Sequence, residues 1–207
     1  MHIVIRAEKF TACGVPLDPT GRKDMSRKAT ITQKDIVNAA FKITRKEGFA
    51  QITSRKLAAV AGCSTQPIFR IYENMDALKV DVFDKAAEFY SQYYADFSKT
   101  HEVPFVDLGL AYIGFAQKYP HLFRLLFISE QGEDNRSMYD LVNGSSENVV
   151  KEINRAAAMG ARNTQQLFMQ MWIFIHGAGC MSVTGDYDLD EATTVGMLES
   201  AYKAFSV

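Results

Sequence analysis

The stretch TSRKLAAVAGCSTQPIFRIYENMDAL, from Thr53 to Leu78, decides how the chain is read. The Thr53 hydroxyl is able to cap the amides of a first helical turn, and a short helix then runs through Leu57 and Val60 to Ala61, where Gly62 stops it. Ser64 is placed to cap the next helix. Pro67 falls in the first turn of that helix, where a missing amide hydrogen breaks no intrahelical bond, and the helix ends near Tyr72. Asn74 caps a further helix and puts Asp76 near its positive end. Two short helices separated by Gly62-Cys63-Ser64 have the length and turn of a helix-turn-helix, whose second helix fits the major groove of DNA. In that arrangement Leu57, Val60, Ala61, Ile68 and Tyr72 pack inward, while Thr65, Gln66, Phe69 and Arg70 stay outside. Gln pairs with the edge of adenine, Thr touches a thymine methyl, and Arg reads guanine or holds a phosphate. An ordinary solvated helix face is the competing reading of the same residues.

Working outward, Thr32 caps a helix with Ile36, Ala39, Ala40 and Ile43 on one face, and Gly48 ends it. The helix that Asn74 starts carries Leu78, Val82, Phe83, Ala86, Ala87, Tyr90, Tyr94 and Phe97 as a wide apolar stripe, and its length makes it the link between two regions. Pro104 precedes a helical segment from Phe105 to Lys118, and Pro120 opens another. Residues 132–135 read as a loop, Met138 to Met159 as one helix stopped by Gly160, and Thr164 to Thr184 as a helix. After a Gly185 turn comes a last helix, capped by Asp188 or Asp190 and running to about Phe205. No strand-like alternation occurs, so the fold class is all-α: a three-helix DNA-binding domain and a helical bundle, about nine helices in total. The domains expected are a flexible extension at 1–25, a helix-turn-helix domain at 26–75 and a ligand-binding and dimerisation domain at 76–207. Met25 looks like a natural start, although an arm at 1–24 that helps hold DNA is the other reading.

The formal charge of −1 hides an asymmetry. Between residues 26 and 78 nine Lys and Arg face four acids, whereas from Lys79 onward ten basic residues face seventeen acidic ones. A basic module on an acidic body points to a polyanion partner for the module alone. Uneven solvated surface would look the same.

The run from Ile36 to Leu78, with Thr53-x-x-x-Leu57-Ala58-x-x-Ala61-Gly62-x-Ser64 followed by Ile68-Phe69-x-x-Tyr72-x-Asn74-x-x-x-Leu78, resembles the DNA-binding domain of TetR-family regulators. The resemblance implies phosphate contacts from Thr53, Ser54 and Arg55, and Ser64, Thr65, Gln66 and Pro67 facing base edges. The family usually has Tyr at Phe69, His at Ile71 and Lys at Met75. Without those polar anchors, Arg70, Lys79, Lys28 and the helix amides compensate, or the operator is held weakly. Tyr119-Pro120-His121-Leu122-Phe123-Arg124-Leu125-Leu126-Phe127 and Trp172-x-x-x-His176-Gly177 resemble the family's C-terminal part. By resemblance the chain is a repressor that binds a palindromic, double-stranded operator as a homodimer and leaves it when a small apolar or amphipathic effector enters the body. The alternative is a helical ligand-binding or protein-interaction module whose DNA binding is weak or lost.

Candidates for the effector site are Tyr112, Phe115, Phe123, Phe127, Phe168, Trp172 and His176, each of which also reads as plain core. Gly177, Ala178, Val195, Leu198, Tyr202 and Phe205 are candidates for a dimer seam, with packing inside one chain as the other reading. Catalysis finds no support in the four His, which lack metal-ligand spacing, and no nucleophile elbow or phosphate-cradling loop occurs. No cofactor and no metal are expected, and the protein is read as no enzyme. Cys13, Cys63 and Cys180 are too few and too scattered for a disulfide framework or a zinc site. The apolar run from Met169 to Val183 falls short of the roughly 20 residues that cross a bilayer, and the start of the chain lacks the apolar core of a secretory signal. The expectation is a cytoplasmic protein with no membrane partner.

Overall fold

Ile36, Ala39, Ala40 and Ile43 share one face at helical spacing, and in a computed structural model that describes residues 31–128 and 147–206 they are buried on α1, Gln33–Glu47. The Thr44 hydroxyl, buried beside them, donates to the Ala40 carbonyl at 2.9 Å, so it adds no unpaired polar atom to the core. Gly48 ends the helix at φ 93°, a conformation that costs glycine little, and one 3₁₀ turn, Phe49–Gln51, leads to α2. Helix α2 is Ser54–Ala61, α3 is Gln66–Ile71, and α4 is Met75–Asp96. The Asn74 side chain accepts from the Ala77 amide at 2.9 Å and so starts α4 as expected.

The body is built round α5, Val106–Lys118, in which ten of the thirteen residues are buried. Helix α6, Pro120–Phe123, runs directly into a π-helical segment, Arg124–Ile128. After residues 129–146 come α7, Glu147–Ala158, α8, Thr164–Thr184, and α9, Glu191–Phe205. Nine α-helices and no strand occur among the described residues. Helix α5 packs on α4, α6, α8 and α9, while α1 packs on α2, α4 and α6. The residues from Gln33 onward form one compact unit, in which His121 of α6 lies against Gly48 at the end of α1.

Helix α8 has the expected bounds and, at 21 residues, is by length and composition able to cross a membrane, although its most apolar run, Met169 to Val183, is shorter. One of its faces is instead committed to the core: Leu167, Phe168, Met171, Trp172, Ile175, Ala178 and Gly179 are all buried. Asp190 rather than Asp188 caps α9, its carboxylate accepting from the Thr193 amide at 2.8 Å. That bond holds the Asp190 carboxyl below its ordinary range. The extension at 1–25, the loop at 132–135 and the first half of the helix expected from Met138 lie outside the described residues.

Two buried carboxylates hold the segment between α4 and α5. Glu152 of α7 accepts the Phe105 amide at 2.7 Å and Arg155 Nη1 on both carboxylate oxygens at 2.9 Å, while Arg155 Nη2 donates to the carbonyls of His101 and Glu102. Asp107 accepts from the His101 amide at 3.1 Å and meets its Nδ1 at 2.7 Å. Phe105 is held by this lock in the left-handed region at φ 66°, with its ring fully buried against Phe168 and Tyr202.

Candidate functional site

The exposed head of the molecule is α2 and α3. Thr53 accepts from the Lys56 amide at 3.2 Å and caps α2, which leaves its hydroxyl proton available to an outside acceptor such as a phosphate. Gly62 closes α2 in the left-handed conformation at φ 71°, and the Cys63 amide bonds back to the Ala58 carbonyl at 3.0 Å. The cap expected from Ser64 does not form: Thr65 occupies the cap position of α3 in a helical conformation, with no side-chain cap bond. Pro67 in the first turn supplies a preset φ in its place.

Ile68 and Tyr72 anchor α3, being 1% and 5% exposed, and Leu57 and Ala58 do the same for α2. Val60, expected inside, is exposed at 45%, because Leu57 and Ala58 set the buried side of α2 and Val60, two residues after Ala58, falls on the opposite side. Gln66, Phe69 and Arg70 point outward, with Phe69 exposed at 61%, while Thr65 and Pro67 are half-buried and Ser64 is exposed. Arg55 lies exposed on α2 beside half-buried Ser54, and Lys79 is half-buried on α4. Thr53, Ser54, Arg55, Ser64, Thr65, Gln66, Pro67, Phe69, Arg70 and Lys79 thus all fall on α2, α3, their caps, the turn between them or the first turns of α4. Two of the groups that hold this head together had no sequence signal. The Tyr72 hydroxyl donates to Asp81, which also accepts from Gln33 Nε2 at 2.7 Å, so α1, the end of α3 and α4 meet at one carboxylate. Burial and that bond together push the Tyr72 phenol well above its ordinary value. Lys56 of α2 pairs with Glu47 of α1, and the bond to Lys56 holds the Glu47 carboxyl below its usual range.

In the body, most of the expected effector-site residues meet in one aromatic cluster. Tyr112 is fully buried, its ring 5.0 Å from Phe123, 4.9 Å from Phe127 and 4.9 Å from Trp172 by centroids. His176 stacks between Trp172, at 6.0 Å, and Phe123, at 6.3 Å. Phe168 stacks on the far side of Trp172, and Phe115 joins through Tyr90. Tyr90 was not among the expected residues, although its place on the apolar stripe of α4 was. The Tyr112 hydroxyl lies 2.8 Å from His176 Nδ1, and His176 Nε2 lies 3.5 Å from Cys180 Sγ. Burial raises the phenol's pKa, so Tyr112 keeps its proton. Satisfying that buried proton assigns Tyr112 as donor to Nδ1 and puts the imidazole proton on Nε2, facing Cys180. Burial also lowers the His176 pKa and raises that of Cys180, which favours a neutral imidazole beside an unreactive thiol.

The expected seam residues divide. Ala178, Leu198 and Tyr202 are buried within the chain, Leu198 with its methyl groups against Gly109. Gly177 is exposed, and Val195 and Phe205 are half-buried. The outward apolar face of α8 and α9 also carries Ile173, Met181 and Met197, with Leu189 exposed between the two helices, and two open hollows of about 720 and 420 Å³ share Phe174 and Met197 on it. The inward and outward positions of a helix that packs on both sides carry the same apolar types, so periodicity did not separate them. Cys63 and Cys180 are free thiols, and no group of three or more His, Cys, Asp or Glu able to hold a metal occurs among the described residues.

Residues 105–203 match the model of the tetracyclin repressor-like C-terminal domain. No curated protein matches the sequence. Among solved structures, the chain is similar to a TetR-like transcriptional regulator from Rhodococcus sp. RHA1, at 15% identity and a TM-score of 0.56 over 82% of this chain and 92% of that one. A putative TetR-family regulator from Vibrio parahaemolyticus is similar at 16% identity and 0.57, over 83% and 97% of the two chains. The multidrug binding protein EbrR complexed with imidazole is similar at 16% and 0.50, over 81% and 88%. Residues 105–203 are thus a tetracyclin repressor-like C-terminal domain, and the chain from the helix-turn-helix onward has the all-helical fold of TetR-like transcriptional regulators.

Proposed function

We propose that the protein is a cytoplasmic, ligand-responsive repressor that binds a palindromic operator as a homodimer and is released from it by a small effector. The observation that carries this reading is the outward face of α3. Gln66, Phe69 and Arg70 are exposed while Ile68 and Tyr72 fix the helix from behind, so their aim is set by buried side chains and not by a mobile loop. The Thr53 hydroxyl and the amides at the start of α2 offer phosphate contacts at the side of the same face. Dimerisation through the apolar face of Ile173, Met181 and Met197 would set two α3 helices at the spacing of two half-sites.

The test is selection of duplexes from a random pool by the purified protein, followed by titration at rising salt. A palindromic consensus whose affinity falls steeply with salt is expected, and no duplex retained at low salt would end the reading. Gln66→Ala should then relax preference at one operator position, at a cost of about 1 to 3 kcal/mol.

The exposure of Phe69 and Val60 favours a second reading, in which the head docks on a protein. Phe69→Ala separates the two. Loss of a protein partner with unchanged duplex binding belongs to the second reading alone.

For the effector, the Tyr112 cluster supports an amphipathic guest with an apolar body and one O–H or N–H group, which donates to His176 Nδ1 in place of the Tyr112 hydroxyl. EbrR, named as a multidrug binding protein, has this fold, which supports a body that accepts small molecules.

A further inference from the structure

Away from the Tyr112 cluster, the second half of α4, the segment before α5, the end of α5 and the start of α9 enclose an open cleft of about 600 Å³. Its walls include Phe89, Tyr93 and Tyr119, and its charged lining includes Asp96, Lys118 and Glu191. The three rings form a rigid corner: Phe89 meets Tyr119 at 5.0 Å and 82°, and Tyr93 meets Tyr119 at 6.0 Å and 88°. Over this corner stands the chain's own ammonium group, Lys118 Nζ, 5.4 Å from the Tyr119 centroid and 5.9 Å from that of Tyr93.

The geometry points to a binding site for a small organic monocation, an alkyl or aryl ammonium, held on the faces of Tyr93 and Tyr119 in place of the Lys118 ammonium and facing the carboxylates of Asp96 and Glu191. The rings give the site its sign, because a π-face carries negative potential and attracts a cation within about 6 Å of its centroid. Lys118 already sits at that distance from both rings, which shows that the corner is open to a cation and correctly turned. An exposed lysine on a flexible stem is a displaceable occupant. Asp96 and Glu191, also exposed, make the formal charge of these three lining groups negative, and their spread over α4 and α9 suits a diffuse cation. A metal ion is a poor fit, since no cluster of three hard or soft donors occurs among the described residues. The corner is also preorganised: the Tyr93 hydroxyl packs into the space left by Gly114, 3.1 Å from where a Cβ would stand, and the adjoining segment is tied down through His101 by Asp107 and Arg155.

The proposal does not depend on whether the head binds DNA. It is tested by calorimetry with the whole protein, titrating benzyltrimethylammonium and its neutral carbon isostere, neopentylbenzene. The cation is expected to bind about tenfold or more tightly than the isostere. Lys118→Met, which removes the resident competitor at an exposed position, should tighten cation binding severalfold. Glu191→Gln, equally exposed, should weaken it about two- to fivefold and leave the isostere unaffected. Absence of cation binding up to millimolar concentration, equal binding of the two probes, or weaker binding in Lys118→Met would each overturn the proposal. Both variants lie on the surface, and thermal melts matching wild type would show that any change in binding is not a loss of fold.

Discussion

Helices α2 and α3 together span fourteen residues and bury only Leu57, Ala58 and Ile68, whereas α5 alone buries ten of thirteen. The head is therefore a thin layer, anchored by a few side chains on α1 and α4. The body is a packed core in which a helix is covered on nearly every side. Stability of the head depends on the neighbours it leans on, and each of its anchors carries a large share. In the body the load is spread over many contacts, and close fit becomes the sensitive quantity.

The comparison is most easily broken at Leu57, which is fully buried. Leu57→Ala should cost about 2 to 5 kcal/mol, because the cavity it leaves is bounded by short helices with little to collapse onto it. Urea unfolding followed both by helical circular dichroism and by the fluorescence of Trp172, the one tryptophan, would show how far the loss spreads. Since α1 packs on α4 and α6 within one unit, the two probes should shift together. An early dichroism transition with Trp172 unmoved would make the head an independent layer.

Gly179 tests fit in the body. A Cβ there would stand 2.8 Å from Phe123 Cζ and 2.9 Å from Tyr112 Cε1, inside contact distance of two rings locked in the aromatic cluster. Gly179→Val should cost about 1 to 3 kcal/mol by overpacking. Gly177→Ala, two residues earlier, meets nothing within 4 Å and should be neutral or stabilising by up to about 1 kcal/mol in the same melts. Equal effects at the two positions would deny the close approach of α8 to α5 and α6.

A smaller effect is expected where α1, α3 and α4 meet. Tyr72→Phe removes the donor to Asp81 but leaves the carboxylate its bond from Gln33, so the loss should be about 1 kcal/mol in denaturant unfolding. Asp81→Ala strands both donors and should cost more. If the order were reversed, the carboxylate would not be the shared joint.

Local signals account for what the sequence disclosed. Thr53, Gly62, Pro67, Asn74 and Gly185 act within a turn of their own position, through a cap, a left-handed residue or a preset φ, and the helices fall where these residues put them. Ser64 failed as a cap because Thr65, already in helical conformation, takes the cap position without a side-chain bond, and Pro67 leaves one amide fewer to satisfy. The family resemblance likewise rested on a contiguous run. What stayed hidden is nonlocal. Leu198 and Met197 are adjacent and apolar, yet one packs on Gly109 and the other faces out, and only the partner helix decides which. The Tyr72, Asp81 and Gln33 joint, the Glu152 and Arg155 lock and the cleft under Lys118 each draw on elements distant in sequence, and no pattern within one helix announces them.

The weakest effect bears on chemistry at the centre of the body. His176 has its pKa lowered by burial from 6.5, so the folded protein holds it neutral at a pH where the unfolded chain has begun to protonate it. The unfolded state then binds more protons than the native one, and this histidine's contribution to stability is present above pH 6.5 and declines as pH falls below it, until the folded pKa is reached. An added proton on Nδ1 would also face the Tyr112 hydroxyl, which would have to accept and turn its own proton toward apolar rings. Half-exposure of His176 keeps the effect modest. Unfolding free energies of wild type and His176→Gln, measured from pH 7.5 to 5, should therefore converge toward the acid end, with wild type showing the steeper loss. Parallel curves would mean that the imidazole is as easily protonated folded as unfolded, and the Tyr112 donor assignment would have to be reversed.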